Sequence, residues 1–183
     1  MNSAEIRYAT VLLATSDVGR RMPRAQQSEG AARLIDRLSE GDFRPVAESK
    51  SHSRALLAAA AGDVPGLRLG IDIEWMAPGR SFGTIARTFL PDVSPQIGMA
   101  EFYRGWTFFE AYFKTFGHFP RQELVADVIA HAPDDRVQAL GERIWMLQRC
   151  VAENFRLCLV WTHATPELCL PVEFSGRPGM RRI

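Results

Sequence analysis

The sequence predicts an α+β fold. Three patterns carry that expectation. Residues 67–75 alternate apolar and polar side chains along a run rich in β-formers, and residues 55–61 form a short apolar run bounded by polar and turn residues. Two longer stretches, residues 24–38 and a segment from Gln96 or Met99 to Phe116, repeat apolar side chains at helical spacing.

Taken in order, residues 5–15 alternate loosely and read as a strand. In residues 24–38, Ala31, Leu34, Ile35 and Leu38 line one helical face with polar residues such as Ser28 between, and Gly41 follows as a stop signal. Residues 42–53 contain Pro45 and many polar groups and are expected to form a loop. The apolar run 55–61 reads as a buried strand, 62–66 as a turn containing Pro65, and 67–75 as the clearest strand of the chain. A short helix is expected over 81–90, broken by Pro91 and Pro95. The next helix ends at Phe116, with Gly117 as its stop and Phe102, Trp106, Phe109 and Phe113 as an apolar stripe at i, i+4, i+7 and i+11. A further helix follows Pro120 and runs to Ala130; residues 143–148 and 154–162 read as two strands joined by a turn. No internal repeat is visible, and the basic stretch 177–182 is expected to fray.

The 183 residues suffice for one good-sized domain or two small halves sharing a core, and 46% apolar with 23% charged residues is an ordinary globular composition. A formal charge of +1 lacks the basic excess of a general nucleic-acid binder, so no nucleic-acid partner is expected. Cys150, Cys158 and Cys169 are odd in number and contain no C-x-x-C pair, which points to reduced structural thiols. No apolar run reaches the roughly 18 residues of a membrane span, and the first residues carry Glu5 and Arg7 where a signal peptide has a basic leader. A cytoplasmic protein without a membrane partner is the expectation. Almost all 22 basic residues are arginine; lysine occurs only at Lys50 and Lys114. Because a compact ammonium and a planar guanidinium are not interchangeable, a lysine kept in such a chain is a candidate for a lysine-specific role.

Within 67–75, side chains alternate faces, so Asp72 and Glu74 point one way while Ile71, Ile73 and Trp75 point the other. In isolation this is either the solvated face of a half-buried strand or part of a metal site. On the later helix, Glu110 precedes Lys114 by four residues, a spacing equally suited to a solvated ion pair. Ser51, His52 and Ser53 stand just before the buried strand and offer donors to a phosphate.

Together these pieces resemble the 4′-phosphopantetheinyl transferase superfamily, in its monomeric surfactin-synthetase-activating branch. The resemblance extends from about Arg44 to Gly117 in four ordered segments. They are Arg44-Pro45 with Ser51-His52-Ser53; Gly70-Ile71-Asp72-Ile73-Glu74; Arg80 with Ile85-Ala86-Arg87 and Phe89; and Trp106-Thr107 with Glu110-Ala111 and Lys114. It implies two similar α/β halves, residues 1–66 and 67–183, with the active site between them. It also implies a monomer that transfers the 4′-phosphopantetheine arm of coenzyme A to a serine of an acyl or peptidyl carrier protein, releasing 3′,5′-ADP. By that precedent Asp72, Glu74 and Glu110 hold Mg2+, and Glu110 and Lys114 are catalytic. Arg44, Ser51, His52 and Lys114 contact coenzyme A, with Arg20, Arg21 and Arg24 as further cations for the 3′-phosphate.

The requirement for a dication follows from Coulomb's law, since two carboxylates about 4 Å apart repel by about 4 kcal/mol at an effective dielectric of about 20. Hard oxygen ligands beside phosphate favour magnesium. The chain departs from the family where W-T-F-F-E-A-Y-F-K replaces W-[ST]-x-K-E-[AS]-x-x-K, placing Phe109 at the first lysine. One lost charge-assisted hydrogen bond costs roughly 1.5–3 kcal/mol, enough to slow such a reaction without abolishing it. Phe109 is expected to pack between helix and sheet or to line the groove for the carrier. The alternatives are a catalytically weakened relative that binds coenzyme A or a carrier protein, a magnesium-dependent phosphodiesterase, and a structural domain with a solvated acidic strand.

Overall fold

The computed structural model describes residues 5–12, 21–90, 97–152, 154–163 and 171–173. They form a mixed α+β arrangement of two four-stranded sheets and four helices. The elements in chain order are β1 (Ile6–Leu12), α1 (Arg24–Leu38), β2 (Ala47–Ser53), β3 (Leu56–Gly62), β4 (Arg68–Trp75), α2 (Phe82–Ala86), α3 (Met99–Phe116), α4 (Gln122–His131), β5 (Val137–Gly141), β6 (Ile144–Val151), β7 (Phe155–Thr162) and β8 (Pro171–Glu173).

The first sheet has the order β2-β3-β1-β8 and the second β4-β7-β6-β5. Their connectivity repeats. In the first, β1 pairs antiparallel with β3, which pairs antiparallel with β2, and α1 lies between β1 and β2 in the chain. In the second, β4 pairs antiparallel with β7, which pairs antiparallel with β6, and helices α2 to α4 occupy the corresponding interval. β5 extends the second sheet, and β8 returns from the C-terminal region to lie parallel to β1.

Three apolar clusters give the layers. Leu34 and Leu38 of α1 pack on Ala9, Leu57, Ala59 and Ala61. The opposite faces of the two sheets meet through Ile6, Tyr8, Ala58 and Ala60 on one side and Ile71, Ile73, Leu157 and Trp161 on the other. The outer face of the second sheet, with Met146, Cys158 and Val160, is covered by Phe102, Phe108 and Ala111 of α3 and Val125 and Val128 of α4. β3 is therefore covered on both faces, which explains why its sequence is a continuous apolar run instead of an alternating one. Fully burying a side chain such as Ile71 or Ile73 stabilises the fold by about 1.5–3 kcal/mol.

Several expectations are corrected. Residues 47–53 are not loop but β2, because Ser49, Ser51 and Ser53 alternate inward while Glu48, Lys50 and His52 are exposed. Polarity on both faces hid the strand. The first strand spans Ile6–Leu12; residues 13–15, Pro91 and Pro95, Arg20, Cys169 and the tail 177–182 lie outside the described residues. The short helix is limited to Phe82–Ala86, and β5 and β8 were not anticipated.

The stripe on α3 is also displaced. Its buried face comprises Tyr103, Thr107, Phe108, Ala111 and Thr115 together with Phe102, while Trp106 and Phe109 are half-buried and Phe113 is exposed. Phe109 stacks on Phe119 with ring centroids 4.4 Å apart and leans on Phe89 at 5.4 Å. The helix closes with Gly117 at φ 74°, a left-handed conformation that glycine adopts without penalty, and its N–H donates to the Phe113 carbonyl at 2.7 Å. No helix among the described residues is long and apolar enough to cross a membrane.

Candidate active site

β2 and β4 are edge strands of different sheets, and they lie side by side. Their backbones do not pair. Serine side chains join them instead: Ser49 Oγ accepts the Ile71 N–H at 3.0 Å, and Ser53 Oγ accepts the Trp75 N–H at 3.0 Å. Backbone donors that an open edge would leave to solvent are thus satisfied from the other sheet. The same row of hydroxyls reaches the two acids of β4. Ser51 Oγ donates to Asp72 Oδ1 at 2.8 Å, and Ser53 Oγ donates to Glu74 Oε2 at 2.9 Å.

α3 crosses this face of β4 at very short range. A Cβ on Gly70 would lie 2.2 Å from the Ala111 carbonyl oxygen and 2.7 Å from Thr115 Oγ1, so only glycine permits the approach. Contact at Gly70 sets the height of the helix over the strand and, with it, the position of Lys114. Lys114 Nζ donates to Asp72 Oδ1 at 2.8 Å and to the Ile71 carbonyl at 3.0 Å. Its ion pair is with Asp72 across the elements; a simple surface pair with Glu110 along the helix is not what the fold forms.

The electrostatics are those of crowded acids. Burial raises the Glu74 carboxyl above its ordinary range, the Asp72 charge raises it further, and the Ser53 hydroxyl, the Trp106 indole and the Arg80 charge pull it partly back. Glu110 is raised by burial and then by Asp72, with Lys114 opposing. Both acids therefore feel Asp72. His52, exposed overall, is lowered mainly by partial desolvation where it borders the cleft and also by the cations Lys114 and Arg24, with its own backbone hydrogen bond and Asp72 acting the other way. A phosphate brought beside it would favour the charged ring.

A cleft of about 340 Å³ adjoins these groups, lined by Ser28 and Ala31 of α1, Lys50, Ser51 and His52 of β2, and Lys114 of α3. It thus brings Ser51, His52 and Lys114 together. Arg44 lies outside it: its Nη1 donates to the carbonyls of Gly41 at 2.8 Å and Phe43 at 3.0 Å, in the loop before β2. Arg21 is exposed, and Arg24 begins α1 close enough to influence His52. Sequence reasoning missed Lys50 and Ser28 as cleft residues and Ser49 as part of the seam. The signal for the seam was the period-two serine pattern at 49, 51 and 53.

Whether the acids suit a divalent cation is decided by their free oxygens. Asp72 is 5% exposed, and its Oδ2 is buried without a hydrogen-bond partner. An orphaned anionic oxygen is costly unless a cation takes it up. Asp72, Glu74 and Glu110 are all hard oxygen donors, the kind of ligand that magnesium takes. In this conformation they do not close on one point: among the described residues, no three His, Cys, Asp or Glu side chains stand close enough to share an ion. The Lys114 ammonium supplies the positive charge at Asp72 Oδ1. Neither a scan against protein-family models nor a search of curated proteins returned a match.

Proposed function

We propose that this chain transfers the 4′-phosphopantetheine arm of coenzyme A to a serine of an acyl or peptidyl carrier protein, with magnesium held by Asp72, Glu74 and Glu110. One observation carries the reading. Lys114 of α3, four residues after Glu110 in the segment that resembles the transferase motif, meets Asp72 of β4, the strand that also carries Glu74, beside a cleft lined by Lys50, Ser51 and His52. The repeated strand order of the two sheets supports the same family's two-halved fold, with the cleft bounded by α1 and β2 of one half and α3 of the other.

The chemistry forms a bond between the serine oxygen and the β-phosphorus of coenzyme A and breaks the bridge to the α-phosphate, so that 3′,5′-ADP leaves. Bound magnesium would neutralise and polarise the pyrophosphate. Glu110 takes the serine proton, a task suited to a carboxylate whose affinity for protons is raised. Lys114, once its hold on Asp72 is released, stabilises charge developing on the leaving group. Lys50 and His52 offer cationic and N–H contacts to phosphate from the cleft wall. Arg44, before the start of β2, would meet only a ligand long enough to run along that strand.

Incubating an apo carrier protein with coenzyme A and magnesium should add the mass of one phosphopantetheine arm, and Glu110→Ala should abolish the gain while the circular-dichroism spectrum stays unchanged. No gain across several carriers would sink the transfer reading. The outcome would then favour a binding module, for which Phe109 and the unclosed acids speak. Release of 3′,5′-ADP without a carrier would instead mark a hydrolase.

A further inference from the structure

We propose that Ser51 and Ser53 are positioning residues that aim the Asp72 and Glu74 carboxylates across the seam, so that the cation affinity of β4 is set by its registration on β2. This inference rests on reading the acidic group as a cation site.

The seam has a regular register. Ser51 meets Asp72 and Ser53 meets Glu74 at the same offset of 21 residues, while Ser49 meets Ile71 and Ser53 meets Trp75 at an offset of 22. Constant offsets mean that the two strands run parallel, each serine standing over a fixed position of β4. A side-chain carboxylate otherwise rotates freely about its bonds. A hydroxyl oxygen 2.8 or 2.9 Å from one carboxylate oxygen, donating its proton to it, restricts that freedom.

Each hydroxyl occupies one carboxylate oxygen, and the Glu74 carboxylate also takes a hydrogen bond from the Trp106 indole. Ser51 and Lys114 share Asp72 Oδ1, which turns Oδ2 into the buried, unpartnered oxygen. Ser53 is constrained more tightly still. Its oxygen accepts the Trp75 N–H, so its single proton is left for Glu74 Oε2. Ser49 makes the same kind of backbone contact but touches neither acid, and it serves as the internal control. Groups that orient a metal ligand in this way change metal affinity by about 10–100-fold when removed.

The test is calorimetric titration of the full metal-free chain with magnesium alone, in the absence of coenzyme A and carrier. Ser51→Ala and Ser53→Ala should each weaken magnesium binding by about tenfold or more. Ser51→Thr and Ser53→Thr, which keep the hydroxyl, should recover most of the loss. Ser49→Ala should lower the melting temperature and leave the magnesium Kd unchanged. If Ser53→Ala does not fold, Ser51→Ala carries the comparison, because the Ser51 side chain makes no backbone bond across the seam.

Equal magnesium affinity in Ser51→Ala and the parent chain overturns the proposal. So does equal weakening in all three alanine variants, which would make the seam a structural joint only. A parent chain that binds no magnesium defeats both this inference and the cation-site reading. Positioning effects as expected, with no mass gain on any carrier, defeat the transferase reading and leave the positioning role standing.

Discussion

Lys114 is the side chain on which the site balances. It is one of only two lysines among 22 basic residues, and its ammonium meets Asp72 while the remaining Asp72 oxygen is orphaned. The Asp72 side chain is 7% exposed and that of Lys114 29%, so solvent screens the pair only in part. Removing the ammonium leaves a buried carboxylate without its counter-ion, and a hydrogen bond to a charged group is worth roughly 1.5–3 kcal/mol. Lys114→Met should therefore destabilise the metal-free protein by about that amount. Urea titrations in chelator measure the loss, and adding magnesium should restore a large part of it. An equal loss with and without magnesium would mean that Lys114 does not stand in for a cation.

At the scale of elements, the contact that matters is α3 on β4. The helix carries Glu110 and Lys114, and the strand carries Asp72 and Glu74, so their relative height decides which atoms meet. Gly70 sets that height, because a methyl there would fall 2.2 Å from a backbone oxygen of α3, and neither backbone yields as a side chain tip would. Overpacking of this kind costs typically about 1–3 kcal/mol. Gly70→Ala should lower the melting temperature accordingly and reduce transfer more than the stability loss explains, because Lys114 moves away from Asp72. Thermal melts and carrier mass spectrometry, run on the same sample, separate the two effects. Full activity with a lowered melting temperature would show that the α3–β4 distance is unimportant to the site.

Across the whole molecule, acids held at a seam between sheets tie stability to pH and to cations. Glu74 and Glu110 bind protons more tightly folded than unfolded, since burial and Asp72 raise both above the ordinary 4.5. The sign follows by linkage. Stability contributed by these groups is greatest with both protonated, and it declines as pH rises from about 4.5 through their raised folded values. Magnesium competes with those protons, so its stabilising effect should grow over the same rise in pH. It should reach about 2.7 kcal/mol where the ion is present at about 100 times its Kd. Denaturant titrations at several pH values, with chelator and with magnesium, test this; a magnesium effect that shrinks with rising pH would contradict it.

Much of the fold was legible because burial leaves a period in the sequence. Asp72 and Glu74 share a face of β4 by alternation alone, residues 24–38 form a helix at the bounds their apolar spacing predicts, and the apolar run before Gly62 is a strand covered on both sides. β2 was not legible, since its inward face is made of serines whose partners are another strand's donors and carboxylates, and such partners leave no hydrophobic signature. The amino-acid sequence by itself determined which side chains are acidic, cationic or hydroxylic and, on β4, which face Asp72 and Glu74 share. Tertiary structure alone decided that Lys114 takes Asp72 instead of Glu110, that Phe109 stacks on Phe119, and that the serines of one sheet hold the acids of the other. Local periodicity sets the direction of a side chain within an element; the distance between elements is set by what packs between them, here a single glycine and a row of hydroxyls.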